Sequence, residues 1–158
     1  MIRSLSPDAD HAAVAAFLDE AADYWLLADG EAPGPQAAEE FFTQCPPGCD
    51  PAASHRLGLY HDGRLSGLAE LSFGFPAPGD AYLGLMILAP SLRGQGLGAG
   101  FLAHVETLAR DTGAPTLYLA VIEANPRGRA FWDRHGFHPT GLTRQDDRNL
   151  IHRLAKPL

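Results

Sequence analysis

Residues 93 to 100 read Arg93-Gly94-Gln95-Gly96-Leu97-Gly98-Ala99-Gly100. They follow an eight-residue apolar run, Ala81 to Leu88, and they open a stretch in which Leu97, Phe101, Val105 and Leu108 recur at helical spacing. A buried strand, a glycine loop and a helix N-terminus in that order suit a phosphate. The first turn of a helix leaves main-chain N–H groups without intrahelical acceptors, and the helix dipole places partial positive charge there. Glycines allow a bulky anion to approach the backbone, and Arg93 adds a fixed cation at the loop entrance. The pattern points to a phosphate-bearing ligand.

Three loops of this general kind have to be separated. A Walker loop requires Lys and then Ser or Thr after its last glycine, and no Lys lies in this region. A dinucleotide fingerprint, G-x-G-x-x-G/A, is formally met by Gly94, Gly96 and Ala99. It should follow its strand directly, with an acid ending the next strand. Here Ala89 to Arg93 intervene, and the next apolar run, Thr116 to Val121, contains no acid; Glu123 lies beyond it. A nicotinamide-dependent oxidoreductase is therefore disfavoured.

The third pattern is R-x-x-G-x-G, carried by Arg93, Gly96 and Gly98. Preceded by Leu85-Met86-Ile87-Leu88-Ala89-Pro90, it resembles the pyrophosphate loop of the GNAT superfamily of acetyl-CoA-dependent N-acetyltransferases. A second block, Asn125 to Phe137 with Phe131, Trp132 and Gly136, resembles the family pattern N-x-x-A-x-x-F-Y-x-x-x-G-F. The two blocks stand in the right order, with a helix and a strand between them.

The resemblance implies a cofactor, acetyl-CoA, and a set of residues to hold it. The loop from Arg93 to Gly100 would cradle the diphosphate through main-chain N–H groups. The backbone of Met86, Ile87 and Leu88 would meet the pantetheine amides, between splayed fourth and fifth strands. Asn125 is either a helix cap or a pantetheine neighbour, and Phe131 reads as core that can also touch the ligand. Arg127, Arg129 and Arg134 are candidate partners of the 3′-phosphate, each read singly as part of a solvated helix face. The chain departs from the family where a Tyr often donates a proton to the leaving thiolate: the residue is Trp132, whose indole N–H has no acid chemistry in water. Tyr82 and Tyr118 are the alternative hydroxyls. The family often places a Glu base on the fourth strand; this strand has none. Glu70, in the neighbouring strand, is the substitute, with Glu123 second. Tyr24 and Trp25, with Asp23, would line the acceptor pocket; by periodicity alone Trp25 is core. The implied activity is acetyl transfer to an amine by direct attack in a ternary complex, with a small-molecule or peptide acceptor. A homodimer follows from family habit only. The alternative is a non-catalytic acyl-CoA-binding or sensor domain.

The elements must place these residues together. At 158 residues one domain is expected, and 46% apolar residues suffice for its core. Ser6-Pro7-Asp8 starts a helix whose apolar stripe, Val14, Phe17, Leu18, Ala21 and Trp25, carries it to about Trp25. A shorter helix spans 36 to 44. His55 to Tyr60 and Leu65 to Phe73 form a hairpin around Asp62-Gly63. Asn125-Pro126 caps a helix running to His135, and strands over 137 to 141 and 149 to 154 close the chain. The expected fold is mixed α+β: one central, mostly antiparallel twisted sheet, with a parallel, splayed pair at strands four and five and helices on its faces.

A net charge of −7 argues against nucleic acid and against anionic membranes. The N-terminus lacks a signal-peptide pattern, so a cytoplasmic location is expected. Cys45 and Cys49, in Cys-Pro-Pro-Gly-Cys, read as reduced thiols, and the seven His are scattered without an i, i+4 pair, so no metal site is expected.

Overall fold

The computed structural model describes residues 1–158. Its strands are β1 (Ile2–Ser4), β2 (His55–His61), β3 (Arg64–Phe73), β4 (Ala81–Leu88), β5 (Thr116–Ile122), β6 (His138–Gln145) and β7 (Leu150–Pro157). Its helices are α1 (Pro7–Glu20), α2 (Ala22–Asp29), α3 (Ala37–Thr43), α4 (Leu97–Asp111) and α5 (Pro126–Arg134). The strands form one seven-stranded sheet in the order β1-β2-β3-β4-β5-β7-β6. Every neighbouring pair is antiparallel except β4–β5, which α4 joins as a parallel crossover. This is the mixed α+β sheet expected from the sequence.

Both faces of the sheet are covered, which explains why β3 is buried along nearly its whole length. On one face Leu71, Leu83 and Leu119 pack against Phe101 and Val105 of α4 and Trp132 of α5. On the other, Leu68 and Ile87 pack against Val14 and Phe17 of α1 and Phe41 of α3.

Two local departures shape the site. The first helix does not run through to Trp25. It breaks at Ala21 (φ −95°, ψ 21°), and α2 begins afresh at Ala22. Val14, Phe17, Leu18 and Ala21 do form one buried stripe, but no residue of α2 is fully buried and Leu26 and Leu27 are exposed. Neither Gly nor Pro marks the break, so periodicity alone runs across it. The second is in β4. Glu70 pairs with Leu85 and Leu71 with Leu83, leaving Gly84 as a bulge. The ladder to β5 is confined to Ala81–Leu117 and Tyr82–Tyr118. Beyond Tyr82 the strands part, and a V-shaped gap opens toward the ends that carry the glycine loop and Glu123. At the far edge, β6 extends to Gln145, past the expected Gly141; its pairing with β7 is irregular between Pro139 and Thr143, and all its residues are exposed.

Candidate active site

The loop leaves β4 through Ala89 and a 3₁₀ turn at Pro90–Leu92, so α4 starts only at Leu97. Gly94 (φ +76°) and Gly96 (φ +85°) take left-handed conformations that L side chains rarely adopt. The N–H groups of Gly94, Gln95 and Gly96 donate to no other main-chain group. Those of Leu97, Gly98 and Ala99 form the first helical turn, which has no intrahelical acceptors. A Cβ built at Gly94, Gly96 or Gly100 would meet nothing within 4 Å. The loop is thus an open cradle of main-chain donors, and its residues fit a diphosphate. Gly98 has a different role: it is buried, and a Cβ there would stand 3.0 Å from the Phe131 ring. It is small so that α4 can pack on α5.

Arg93 does not project as a free cation. Its Nε donates to the carbonyl of Leu88 at 3.1 Å, and its two Nη atoms grip the carboxylate of Asp23 on α2 (Nη2–Oδ1 3.2 Å). This clasp holds the Asp23 carboxyl below the usual carboxylate range, chiefly through the guanidinium hydrogen bonds. The other end of α2 is tied down as well, since Asn149 Nδ2 donates to the Ala28 carbonyl at 3.0 Å.

Met86, Ile87 and Leu88 lie on the part of β4 that has lost its β5 partner. Ile87 is buried among the α1–α3 residues, whereas Met86 and Leu88 are half-buried on the α4 side. Asn125 caps α5, its Oδ1 accepting from the Gly128 N–H at 3.0 Å. Phe131 packs edge-on against Trp132, which in turn packs edge-on against Phe137, and the indole is buried in the core. Arg129 pairs with Asp133 at 3.2 Å, while Arg127 and Arg134 are exposed.

Across the gap, on the α1–α3 side of the sheet, lies a cavity of about 540 Å³. Trp25, Phe41 and Leu85 give it apolar walls; Glu70, Arg56 and Arg144 give it charge. Glu70 is only 7% exposed, on a central strand and not at a sheet edge. Its Oε1 accepts from the Ser72 hydroxyl and stands 3.8 Å from Arg56 Nη1. Its Oε2 lies against Gly84, where the β4 bulge leaves room for it; the Glu70 carboxyl carbon would be 3.3 Å from a Cβ at that position. Burial pushes the Glu70 carboxyl above the usual range, against the opposing pull of Ser72 and Arg56. Arg56 is equally buried. Its Nη1 donates to the carbonyls of Phe41 (2.8 Å) and Gln44 (2.6 Å), so it pins the end of α3 beside Glu70.

Tyr82 and Tyr118 face each other across the paired end of the V. Burial raises the Tyr82 hydroxyl above its ordinary range, Arg153 and Arg144 opposing. Tyr24 stacks edge-on against Trp25 at 5.3 Å, and Trp25 lines the cavity. Glu123 stays outside: it is exposed beyond β5, 3.5 Å from His152, and does not line the cavity. Cys45 and Cys49 are free thiols, Cys45 donating to the Cys49 carbonyl at 3.3 Å. No group of three His, Cys, Asp or Glu side chains could hold a metal, and no helix is long and apolar enough to cross a membrane.

Sequence reasoning missed Arg56, Arg144 and Gly84 as parts of this cavity, and Ser72 as the hydrogen-bond partner of Glu70. Gly84 carried a signal: a lone glycine within an apolar strand marks a bulge or a close approach. The other three carried none: the register of β2 on β3 sets Arg56 opposite Glu70, alternation within β3 puts Ser72 on its face, and Arg144 reaches the cavity from the edge strand β6.

Residues 14–137 match the model of the acetyltransferase (GNAT) family. Among solved structures, an acetyltransferase from Thermus thermophilus aligns over 100% of this chain and 96% of its own, with 20% identity and a TM-score of 0.79. The ribosomal-protein-S18-alanine N-acetyltransferase from Escherichia coli aligns over 99% and 92%, at 21% identity and TM-score 0.74. The PaiA N-acetyltransferase from Thermoplasma acidophilum, solved in complex with coenzyme A, aligns over 100% and 98%, at 20% identity and TM-score 0.72. At these identities the likeness to solved structures is one of fold. The family match covers most of the sequence, including the glycine loop and the strand that carries Glu70: this chain belongs to the acetyltransferase (GNAT) family.

Proposed function

We propose that this protein is an N-acetyltransferase that passes an acetyl group to the amine of a small molecule or peptide seated in the cavity, by direct attack. Acetyl-CoA, the family's acyl donor, supplies an activated thioester when bound. The row of N–H groups from Gly94 to Ala99 holds the diphosphate, and the unpaired edge of β4 past Tyr82 receives the pantetheine arm. Fixing both reactants in one geometry converts a bimolecular encounter into a local one, which carries much of such a rate.

Glu70 is the general base. An amine is mostly protonated near neutrality and has to lose a proton before it attacks. Oε2 is the oxygen left for that proton, and the raised carboxyl is a better base than an ordinary Glu. Tyr82 and Tyr118 offer hydroxyls at the closed end of the gap. A phenol is protonated at neutral pH and burial raises the Tyr82 hydroxyl further, so it is present there as a hydrogen-bond donor.

The observation that supports this reading best is the position of Glu70: a buried carboxylate opening through Gly84 onto a cavity, beside the stretch of β4 that has parted from β5. The test is an acceptor panel with thiol detection. Amine-dependent release of coenzyme A thiol from acetyl-CoA is expected for at least one acceptor. Tight acetyl-CoA binding without turnover on any amine would favour a sensor instead.

A further inference from the structure

A glutamate on a strand can present either oxygen, so a base there needs something that decides which. Ser72 lies two residues from Glu70 on the same face of β3, is fully buried, and donates its only hydroxyl proton to Oε1. The oxygen of Ser72 is in turn 2.7 Å from the hydroxyl of Ser54, which stands where the 3₁₀ turn Pro51–Ala53 passes into β2. With the Ser72 proton already committed, Ser54 is the donor of that second bond; its other acceptor, the Asp50 carbonyl, stands farther off at 3.5 Å. Ser54, Ser72 and Glu70 thus form a directed chain from the entry of β2 into β3. Oε2 has no hydrogen-bond partner in the protein, yet it is not among the atoms closed off from solvent.

We propose that Ser72, oriented by Ser54, is the positioning residue of the base: it occupies Oε1, so that Oε2 alone is presented over Gly84 to the acceptor amine. The proposal rests on Glu70 being the base. Several other charged or titratable groups face Glu70 or its cavity: Arg56 from β2, Glu40 from α3, Cys45 and Cys49 from the segment after α3, Tyr82 from β4 and Arg144 from β6. All of them remain when Ser72 loses its hydroxyl. The change on that loss therefore reports the hydroxyl alone, and its direction is set: a hydrogen bond to the charged form favours ionisation, and removing it raises the carboxyl further.

The test uses Ser72→Ala, Ser72→Thr, Ser54→Ala and Glu70→Gln in the full chain. The first readout is the NMR titration of the Glu70 side-chain carboxyl in protein without ligand. The second is the pH profile of kcat/KM. In Ser72→Ala the carboxyl midpoint should rise by about one pH unit, as expected for a lost bond to a charged group. The acid limb of kcat/KM should move with it, and acetyl-CoA affinity should stay within about twofold of the original. Ser54→Ala should give a smaller shift in the same direction, and Ser72→Thr should restore the original midpoint. If Ser72→Ala fails to fold, Ser54→Ala carries the same test from a partly exposed position. A folded serine variant with unmoved midpoint and acid limb overturns the proposal. If Glu70→Gln itself keeps the acid limb, the base assignment falls and the role of Ser72 falls with it; if Glu70→Gln loses the limb while the serine variants leave it in place, only the serine proposal fails.

Discussion

The carboxylate of Glu70 occupies the space that a Cβ at Gly84 would fill. The glycine of the β4 bulge and the placement of the Glu70 carboxylate therefore depend on each other. Gly84 is exposed and its φ is not left-handed, so an alanine meets no backbone objection; its only conflict is with Glu70. Gly84→Ala should displace the carboxylate and lower kcat/KM by about 10-fold or more, up to the roughly 10²–10⁴-fold expected when a general base is lost outright. Acetyl-CoA affinity, measured by calorimetry, should be retained. Normal turnover in this variant would remove Glu70 from the reaction.

At the donor cradle, Gly96→Glu should abolish acetyl-CoA binding. The new side chain puts bulk and like charge where the diphosphate belongs, on a left-handed backbone that also resists it. Saturating acetyl-CoA should raise the melting temperature of the original protein and leave that of the variant unchanged. A retained ligand-induced shift would contradict the loop assignment.

Stability should report the burial of Glu70. Because its carboxyl is raised in the folded chain, folding binds its proton more tightly. The stability this contributes is complete below the ordinary glutamate range and is lost as pH rises through the raised value. Relative to Glu70→Gln, the original protein should lose melting temperature over that interval, on the order of a few degrees, and then run parallel to it. A difference that is constant with pH would show that burial does not perturb the group.

The clasp between Arg93 and Asp23 predicts the opposite sign. Asp23 is held low by Arg93, so its contribution is present above the ordinary aspartate range and lost as pH falls through the depressed value. The pair is substantially exposed, so Asp23→Asn should cost no more than about 1 kcal/mol. Its clearer effect should be local: faster amide exchange in α2 and a higher KM for the acceptor, because α2 carries the Trp25 wall of the cavity. Unaltered exchange in α2 would show that the clasp does not hold that helix.

Much of the fold is legible where periodicity and punctuation agree. The β4 bounds, Ala81–Leu88, and the Asp62-Gly63 hairpin turn emerge from apolar runs closed by turn residues, and the Asn125 cap from its neighbour Pro126. The break at Ala21 is not legible, because a buried alanine inside a helical stripe carries no stop signal. The donor loop is readable as main-chain chemistry, since glycine spacing reports backbone geometry directly. The acceptor side is readable only as far as Glu70. Its partners Arg56 and Ser72 come from the register of β2 on β3 and from alternation within β3, and neither leaves a mark in local composition. The partner of Arg93 is hidden for the same reason: the fixed charge at the loop entrance is legible, but the Asp23 that engages it lies 70 residues earlier.

Amide-resolved NMR of the protein titrated with coenzyme A tests the central claim most directly. The N–H resonances of Gly94 to Ala99 should show the largest saturable shifts, followed by those of Met86 to Leu88 along the parted edge of β4. Saturable binding that leaves those resonances in place and moves another surface would contradict the account.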